Sequence, residues 1–400
     1  MRPSRRLLTG AALLAGAGAA VGAANLGVAA HRYGLEYLRR LALWGRSQSM
    51  RDPEHFPARA IAPSADPHRF VPAAGGPDRV RAAFAAVAGR HGAAGEALEG
   101  FLSRTRSTSL LVLADDRLAY EGYFNGAARG TPLTSMSMSK SVLALLAVAA
   151  VADGLVPGLD APAEALLPEV SGLKGSGVTL RHLMSMTAGL RFEDPRPLRW
   201  LTWPMLFEGA RVAAFTPDIR AYVATARSGD PPGSHFAYDD RSAQLVGLIL
   251  ERAAGRPVSD VLGERVWRPI GAEFPASWNL DHEDGFERME SGINAAALDW
   301  MKIGRLVLRD GDWQGRTLLP APLLREAATP VPRPASARPY GLLWWGMPGA
   351  AAGATDTLAE GIFGQVLLVA RTRGVVALRT GLDEAGAAWP ALLRDLSAAL

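Results

Sequence analysis

Ser137 and Lys140 stand three residues apart in SMSMSKSVLALLAVAAVADG (135–154), where four serines surround one lysine ahead of an apolar run. Lysine is scarce in this chain. Only Lys140, Lys174 and Lys302 are found, and 43 basic residues less three leaves 40 arginines. An arginine cannot surrender its proton inside a protein, whereas a desolvated lysine can. A lysine kept beside a serine therefore suggests a proton acceptor. A helix predicted over 138–153 puts residues three apart on one face, which selects Ser137 over Ser135 and Ser139. At a helix start the exposed amides can hold an oxyanion, and the positive helix end disfavours a protonated Lys140. A lysine made neutral in this way can take the serine proton. Serine at a helix N-terminus is also an ordinary cap, so the pair needs partners elsewhere. A second S-x-x-K, Ser171-Gly172-Leu173-Lys174, lies in the glycine-rich SGLKGSG with no helix to hold its spacing.

Two further stretches offer partners. PGSHFAYDDRSAQLVGLILE (232–251) places Tyr238 just before a helix, as a second acid/base group. AEGIFGQVLLV (359–369) sets Gly361 and Gly364 before a buried strand. Glycines there let a substrate lie along the strand edge, with a backbone amide aimed at its reacting carbonyl. Plain packing for the tyrosine and a plain strand entry for the glycines are the competing readings.

These residues need a frame. STSLLVLADDRLAYEGYFNG reads as a hairpin turning at Asp115-Asp116, and GIFGQVLLVARTRGVVALRTG as another turning at Thr372-Arg373-Gly374. Residues 79–104 read as a helix or a broken helical pair, and 238–255 as the clearest helix of the middle. Strands at both chain ends with helices between predict one α/β domain over 79–400, with a helical subdomain at about 155–290.

Taken together, the pieces resemble the serine β-lactamase and penicillin-binding-protein-like superfamily. The branch in view holds the class C β-lactamases, the esterases of that fold and 6-aminohexanoate-dimer hydrolase. SLLVLADDRLAYEGYFNG, SMSMSKSVLALLAVAAVADG, VTLRHLMSMTAGL, FAYDDRSAQLVGLILERAAG, SGINAAALDWMKIGRLVLRDGDWQG, YGLLWW and GIFGQ follow in family order over about 108–385. The resemblance implies an α+β fold: an antiparallel sheet from both chain ends, flanked by helices, with a mainly helical insertion. It implies Ser137 as the acylated nucleophile, Lys140 as its proton acceptor and Tyr238 as the tyrosine of Y-x-N. The backbone amides of Ser137 and Ile362 would form the oxyanion hole, with Asp240, Glu360, Gly361 and Gln365 facing the substrate. No cofactor and no metal are implied.

Two departures narrow the substrate. Asp240 replaces the asparagine of Y-x-N, and Ala359-Glu360-Gly361 stands where K-T-G or H-x-G is expected. The cation that faces a substrate carboxylate is missing and Glu360 adds negative charge, so a carboxylate would go unpaired. The expected activity is a serine hydrolase of small neutral esters or amides. β-Lactamase or D-Ala-D-Ala peptidase activity, and a non-catalytic binding relative, are the alternatives. The aromatic RWLTWPMLF (199–207) could wall an acyl pocket or belong to the core.

Composition excludes other classes. With no cysteine there is no thiolate catalysis and no cysteine metal site. G-x-S-x-G and H-E-x-x-H are both absent, and DHED (281–284) reads as a polar loop. The net charge of +4 comes from residues 1–46, where seven arginines face one acid for +6, leaving −2 elsewhere. That gives no support to nucleic-acid binding. Residues 1–30, with Arg5-Arg6 before an apolar stretch, read as an export signal or a membrane anchor. Residues 31–78 read as a basic amphipathic segment able to lie on a membrane, then a linker or wrapped arm. The expected location is the periplasm, free or anchored to the cytoplasmic membrane.

Overall fold

The computed structural model describes residues 5–45, 47–192, 204–207, 209–347 and 356–400. The strands of its two main sheets are β1 (Ala58–Ile61), β2 (Ser107–Ala114), β3 (Arg117–Tyr123), β4 (Leu133–Thr134), β5 (Ala276–Asn279), β6 (Ile293–Ala295), β7 (Trp345–Gly346), β8 (Thr357–Gly361), β9 (Gln365–Ala370) and β10 (Val375–Gly381). The larger sheet runs β7-β8-β9-β10-β2-β3, every neighbour antiparallel. Both chain ends therefore share one sheet, as expected. The turn between β2 and β3 has Asp115 and Asp116 at φ 50° and 65°. Two left-handed residues make a tight turn whose twist matches the strands it joins. Gly374, at φ 65°, closes the second predicted hairpin.

Strand alternation divides the sheet's two faces. Leu111, Leu113, Leu367, Val369, Val376 and Leu378 face one apolar core, whereas Leu110, Val112, Leu358, Val366, Leu368 and Val375 face another. The principal helices are α1 (Arg5–Leu43), α2 (Gly76–Val87), α3 (Ser139–Ala152), α4 (Asp240–Ala254), α5 (Ala297–Leu308) and α6 (Trp389–Ala398). Helices α2 and α6 cover the second core, while α3 and α5 belong to the first. Helix α3 is buried from Ser139 to Ala150. A helix apolar on all sides has to be central, and burying each large aliphatic side chain contributes about 1.5–3 kcal/mol. The predicted helical pair over 79–104 is α2, a 3₁₀ turn (Ala88–His91) and a short helix (Leu98–Arg104). The middle of the chain is a succession of short helices, with α4 the longest.

The segment expected as surface helix and linker belongs instead to the body. Tyr37, Arg40 and Leu41 are buried. Tyr37 Oη donates to Leu206 O at 2.9 Å, and Arg40 donates to Asp281 O at 2.6 Å and Thr216 O at 3.2 Å. Strand β1 enters the smaller sheet, β1-β5-β6-β4. One face of this segment thus packs into the protein core. Among the described residues no helix is long and apolar enough to cross a membrane.

Candidate active site

The four serines divide by their partners. Ser135 Oγ and Ser139 Oγ bond each other at 2.7 Å, and Ser139 Oγ accepts from the Ile293 amide at 3.1 Å. Ser141 Oγ donates to Leu343 O at 2.7 Å. These three pin the turn and helix to the surrounding frame. Ser137 is half-buried, and its Oγ accepts from Lys140 Nζ at 2.9 Å. Ser171 and Lys174 of the second S-x-x-K are both exposed.

The predicted helix starts one residue later than expected. Ser137 lies in a 3₁₀ turn (Met136–Met138) that leads into α3 at Ser139. Three residues per turn eclipses positions i and i+3, so the Ser137–Lys140 alignment survives. Met136, at φ 48°, supplies the sharp turn out of β4. A left-handed non-glycine residue costs about 1–3 kcal/mol, and the burial of Met136 and Met138 offsets it.

Lys140 is 1% exposed. Its ammonium meets Ser137 Oγ, Glu290 O at 2.9 Å and Asp240 Oδ1 at 2.8 Å. Burial works against its charge, but Asp240, Tyr238 and Glu290 outweigh that and raise its pKa. The expectation of a neutral resting Lys140 is therefore corrected. The carboxylate at the third position of Y-x-D holds the proton on the lysine.

Tyr238 is placed by a strap. The amides of Phe236 and Ala237 donate to Pro334 O and Met186 O, both at 2.8 Å, and Asp239 caps α4 by accepting from the Arg241 amide at 2.9 Å. The Met186 contact explains why MSMTAGL (184–190) belongs with the site. The Tyr238 ring stacks on Trp345 at 5.2 Å between centroids, and Lys140 Nζ lies 5.0 Å from its own centroid. Tyr238 as a whole is 38% exposed, yet loss of solvation around its hydroxyl raises the phenol's pKa, and the Lys140 ammonium pulls the other way. The net direction is up, so the phenol stays protonated at neutral pH.

Gly361 touches the serine turn from the other side. A Cβ there would stand 2.5 Å from Ser135 O and 3.0 Å from the Ser137 amide nitrogen. Only glycine lets β8 approach while keeping that amide clear. Ile362 follows at the rim, 43% exposed. Gln365 does not face a substrate, contrary to expectation. It is fully buried, its Nε2 donating to Gly381 O at 2.6 Å and its Oε1 accepting from the Gly381 amide at 3.1 Å. With Arg379, which donates to Phe363 O and Gly364 O at 2.8 Å each, it anchors the loop after Gly361.

Glu360 also departs from expectation. Ala359 packs in the α3 core and Leu358 in the opposite one, so alternation turns Glu360 away from Ala359 and Gly361. Its carboxylate is held bidentately by Arg338 at 2.9 and 2.5 Å, and that guanidinium lies 4.7 Å over the Trp345 ring. The added negative charge is thus balanced. Arg338, Glu290, Trp345 and Arg379 were not singled out from sequence. Nothing in their local spacing marks them, although YGLLWW already located Trp345. Of the aromatic stretch at 199–207, residues 199–203 lie outside the described residues; Leu206 and Phe207 are buried core. A cavity of about 320 Å³ lined by Arg32, Tyr33, Thr216, Asp218 and Tyr222 shares no residue with this site. Among the described residues no cluster suits a metal ion.

A family model described as Beta-lactamase matches residues 94–380. The 6-aminohexanoate-dimer hydrolase of Paenarthrobacter ureafaciens is 25% identical over 226 residues, covering 54% of this chain and 55% of that one. The match thus spans about half the length of that curated relative. A Bacillus anthracis protein provisionally assigned as a 6-aminohexanoate-dimer hydrolase superposes with a TM-score of 0.70 at 20% identity, covering 88% of this chain and 92% of that one. EstCE1, a hydrolase with promiscuous acyltransferase activity, gives 0.57 at 16% identity, covering 80% and 97%. A penicillin-binding protein from Bacillus halodurans gives 0.55 at 16% identity, covering 74% and 96%. At these identities the structural likeness speaks for the fold.

Proposed function

The chain belongs to the beta-lactamase family, and from that premise we propose a serine hydrolase that forms an acyl-enzyme at Ser137 on small neutral esters or amides. One observation carries the reading: Ser137 Oγ lies 2.9 Å from Lys140 Nζ in a corner that Gly361 holds open. Ser137 Oγ attacks the substrate carbonyl as its proton passes to Lys140, which must give up one of its own protons for the transfer. The amides of Ser137 and Ile362 hold the resulting oxyanion. Tyr238, protonated in the resting state, delivers a proton to the leaving group, and water then attacks the acyl-serine by the reverse path.

The neutral substrate class has two supports. Ala359, at the position of the usual cation, is fully buried. Arg338, the nearby alternative, is committed to Glu360. The names of the relatives, a 6-aminohexanoate-dimer hydrolase and a hydrolase with promiscuous acyltransferase activity, fit acyl transfer at an amide or ester without bearing on substrate charge. Export is proposed as well, on the arginines and apolar stretch of residues 1–30. A turnover panel tests the substrate class. p-Nitrophenyl butyrate or a small linear amide should be cleaved far faster than nitrocefin or benzylpenicillin. Hydrolysis of a β-lactam at a rate rivalling the best ester would overturn it.

A further inference from the structure

The Lys140 ammonium meets Ser137 Oγ at 2.9 Å, Glu290 O at 2.9 Å, Asp240 Oδ1 at 2.8 Å and the Tyr238 hydroxyl, more acceptors than it has hydrogens. So placed, it has no lone pair to offer Ser137. One proton must leave before the serine proton can enter. A peptide carbonyl, a serine hydroxyl and the protonated Tyr238 phenol take no extra proton near neutral pH, so among these partners only Asp240 remains. Resting on the acyl-enzyme reading above, we infer that Asp240 is the proton acceptor behind Lys140, taking a proton from Nζ onto Oδ1 as Nζ takes the proton of Ser137.

The surroundings fit that role. Asp240 Oδ1 is shut off from water and, among the described residues, receives no hydrogen bond besides its ion pair with Lys140. The other charged and titratable groups facing the pair are engaged. Glu290 is bound by Arg288 at 3.0 Å, by Ser291 at 3.0 Å and by Gln244. Arg241 pairs with Asp239 at 2.7 Å. Burial holds the phenols of Tyr238 and Tyr340 neutral. The field of Asp240, opposing the cost of burial, keeps the lysine charged at rest. A buried pair that starts as ammonium and carboxylate can pass through the neutral amine and carboxylic acid without net charge crossing the site.

The step balances. Before attack the group holds Lys140 ammonium, Asp240 carboxylate and Ser137 hydroxyl. The Ser137 Oγ–carbon bond forms and the carbonyl electron pair moves to oxygen. The serine proton goes to Nζ, and one Nζ proton goes to Oδ1. The products are a tetrahedral oxyanion, Lys140 ammonium and Asp240 carboxylic acid, with the same total charge. When the leaving group departs it takes one proton from Tyr238. Lys140 replaces that proton, and Asp240 returns its own to Lys140.

The test is the pH profile of Ser137 acylation between pH 4 and 10, read as kcat/KM for p-nitrophenyl butyrate and as the rate of fluorophosphonate labelling. In the wild type the acid limb should lie in the carboxylate range, below about pH 4. Asp240→Asn keeps the shape but accepts no proton, so its limb should follow deprotonation of Lys140 itself and move to higher pH. At pH 5 the variant should then fall at least about tenfold below its own alkaline plateau while the wild type stays near its plateau. Asp240→Glu should restore the low limb. An Asp240→Asn limb that stays put or moves to lower pH would overturn the inference. So would a uniform loss with the limb unmoved, which marks a structural role. Asp240→Glu tracking Asp240→Asn would overturn it too. If both variants label Ser137 on the alkaline plateau, the acyl-enzyme reading stands whatever the limb does. A wild type that labels at no pH removes that reading and this inference together.

Discussion

Two buried lysines share nearly the same local geometry and differ in what they face. Lys302, on α5, pairs with Asp299 three residues earlier at 3.0 Å and donates to Gly271 O at 2.7 Å. Lys140, on α3, contacts Ser137 three residues earlier at 2.9 Å and donates to Glu290 O at 2.9 Å. The third partner of Lys302 is a second carboxylate, Glu273 at 3.3 Å, and Asp299 also accepts the amides of Glu273 and Phe274 at 2.7 and 3.0 Å. Every group in that corner has its charge or hydrogen bonds met, and nothing there can react. Around Lys140 one carboxylate is replaced by a hydroxyl that is only half-buried, and among the described residues Asp240 Oδ1 has no other donor. Burial and an i,i+3 spacing make a structural corner or a reactive one according to whether one partner is a nucleophile open to substrate.

Substitution at each corner sharpens that contrast. Lys140→Arg keeps the charge opposite Asp240 but passes on no proton. Turnover of p-nitrophenyl butyrate should fall by about 10²–10⁴-fold with the circular dichroism spectrum unchanged. Near-normal turnover would place Lys140 with Lys302 as a structural group. Gly361→Ala inserts a methyl against Ser135 O and the Ser137 amide. Losing one oxyanion donor costs about 10²–10³-fold. We expect a loss of that size in kcat with a smaller change in KM; an unaltered kcat would remove the Ser137 amide from the reaction. Lys302→Met strands the buried Asp299 carboxylate, while Glu273 keeps Arg129 at 3.2 Å, and breaking that buried pair costs about 3–5 kcal/mol of stability. Chemical denaturation should show that loss, while turnover per folded molecule stays within about twofold of wild type.

The residues proposed to do chemistry were readable in the sequence because each sits at a locally recognisable place. Ser137 and Lys140 lie three residues apart, Tyr238 precedes a capped helix, and Gly361 ends a strand where no side chain fits. Both hairpins and the pairing of the two chain ends followed from apolar runs and their turns. What escaped depends on distant partners. Glu360 appeared as a bare negative charge because its partner Arg338, which also donates to Gly346 O of β7 at 2.9 Å, lies 22 positions away. Gln365 sat beside the right glycines, yet its amide is taken up by Gly381 on the neighbouring strand β10. Lys140 was expected neutral, because helix start and burial both push that way, and its ion pair with Asp240, 100 positions on, reverses the sign. Basic amphipathic periodicity near residue 40 was correct, but a periodicity names a buried face without naming what buries it.

The most direct test of the account is intact-mass analysis of the protein after brief exposure to a fluorophosphonate, with the adduct mapped by peptide sequencing. The account predicts one adduct per chain, on Ser137, and none in Ser137→Ala, with Ser171→Ala labelled as fast as the wild type. An adduct that persists in Ser137→Ala, or that maps to Ser171, would contradict it.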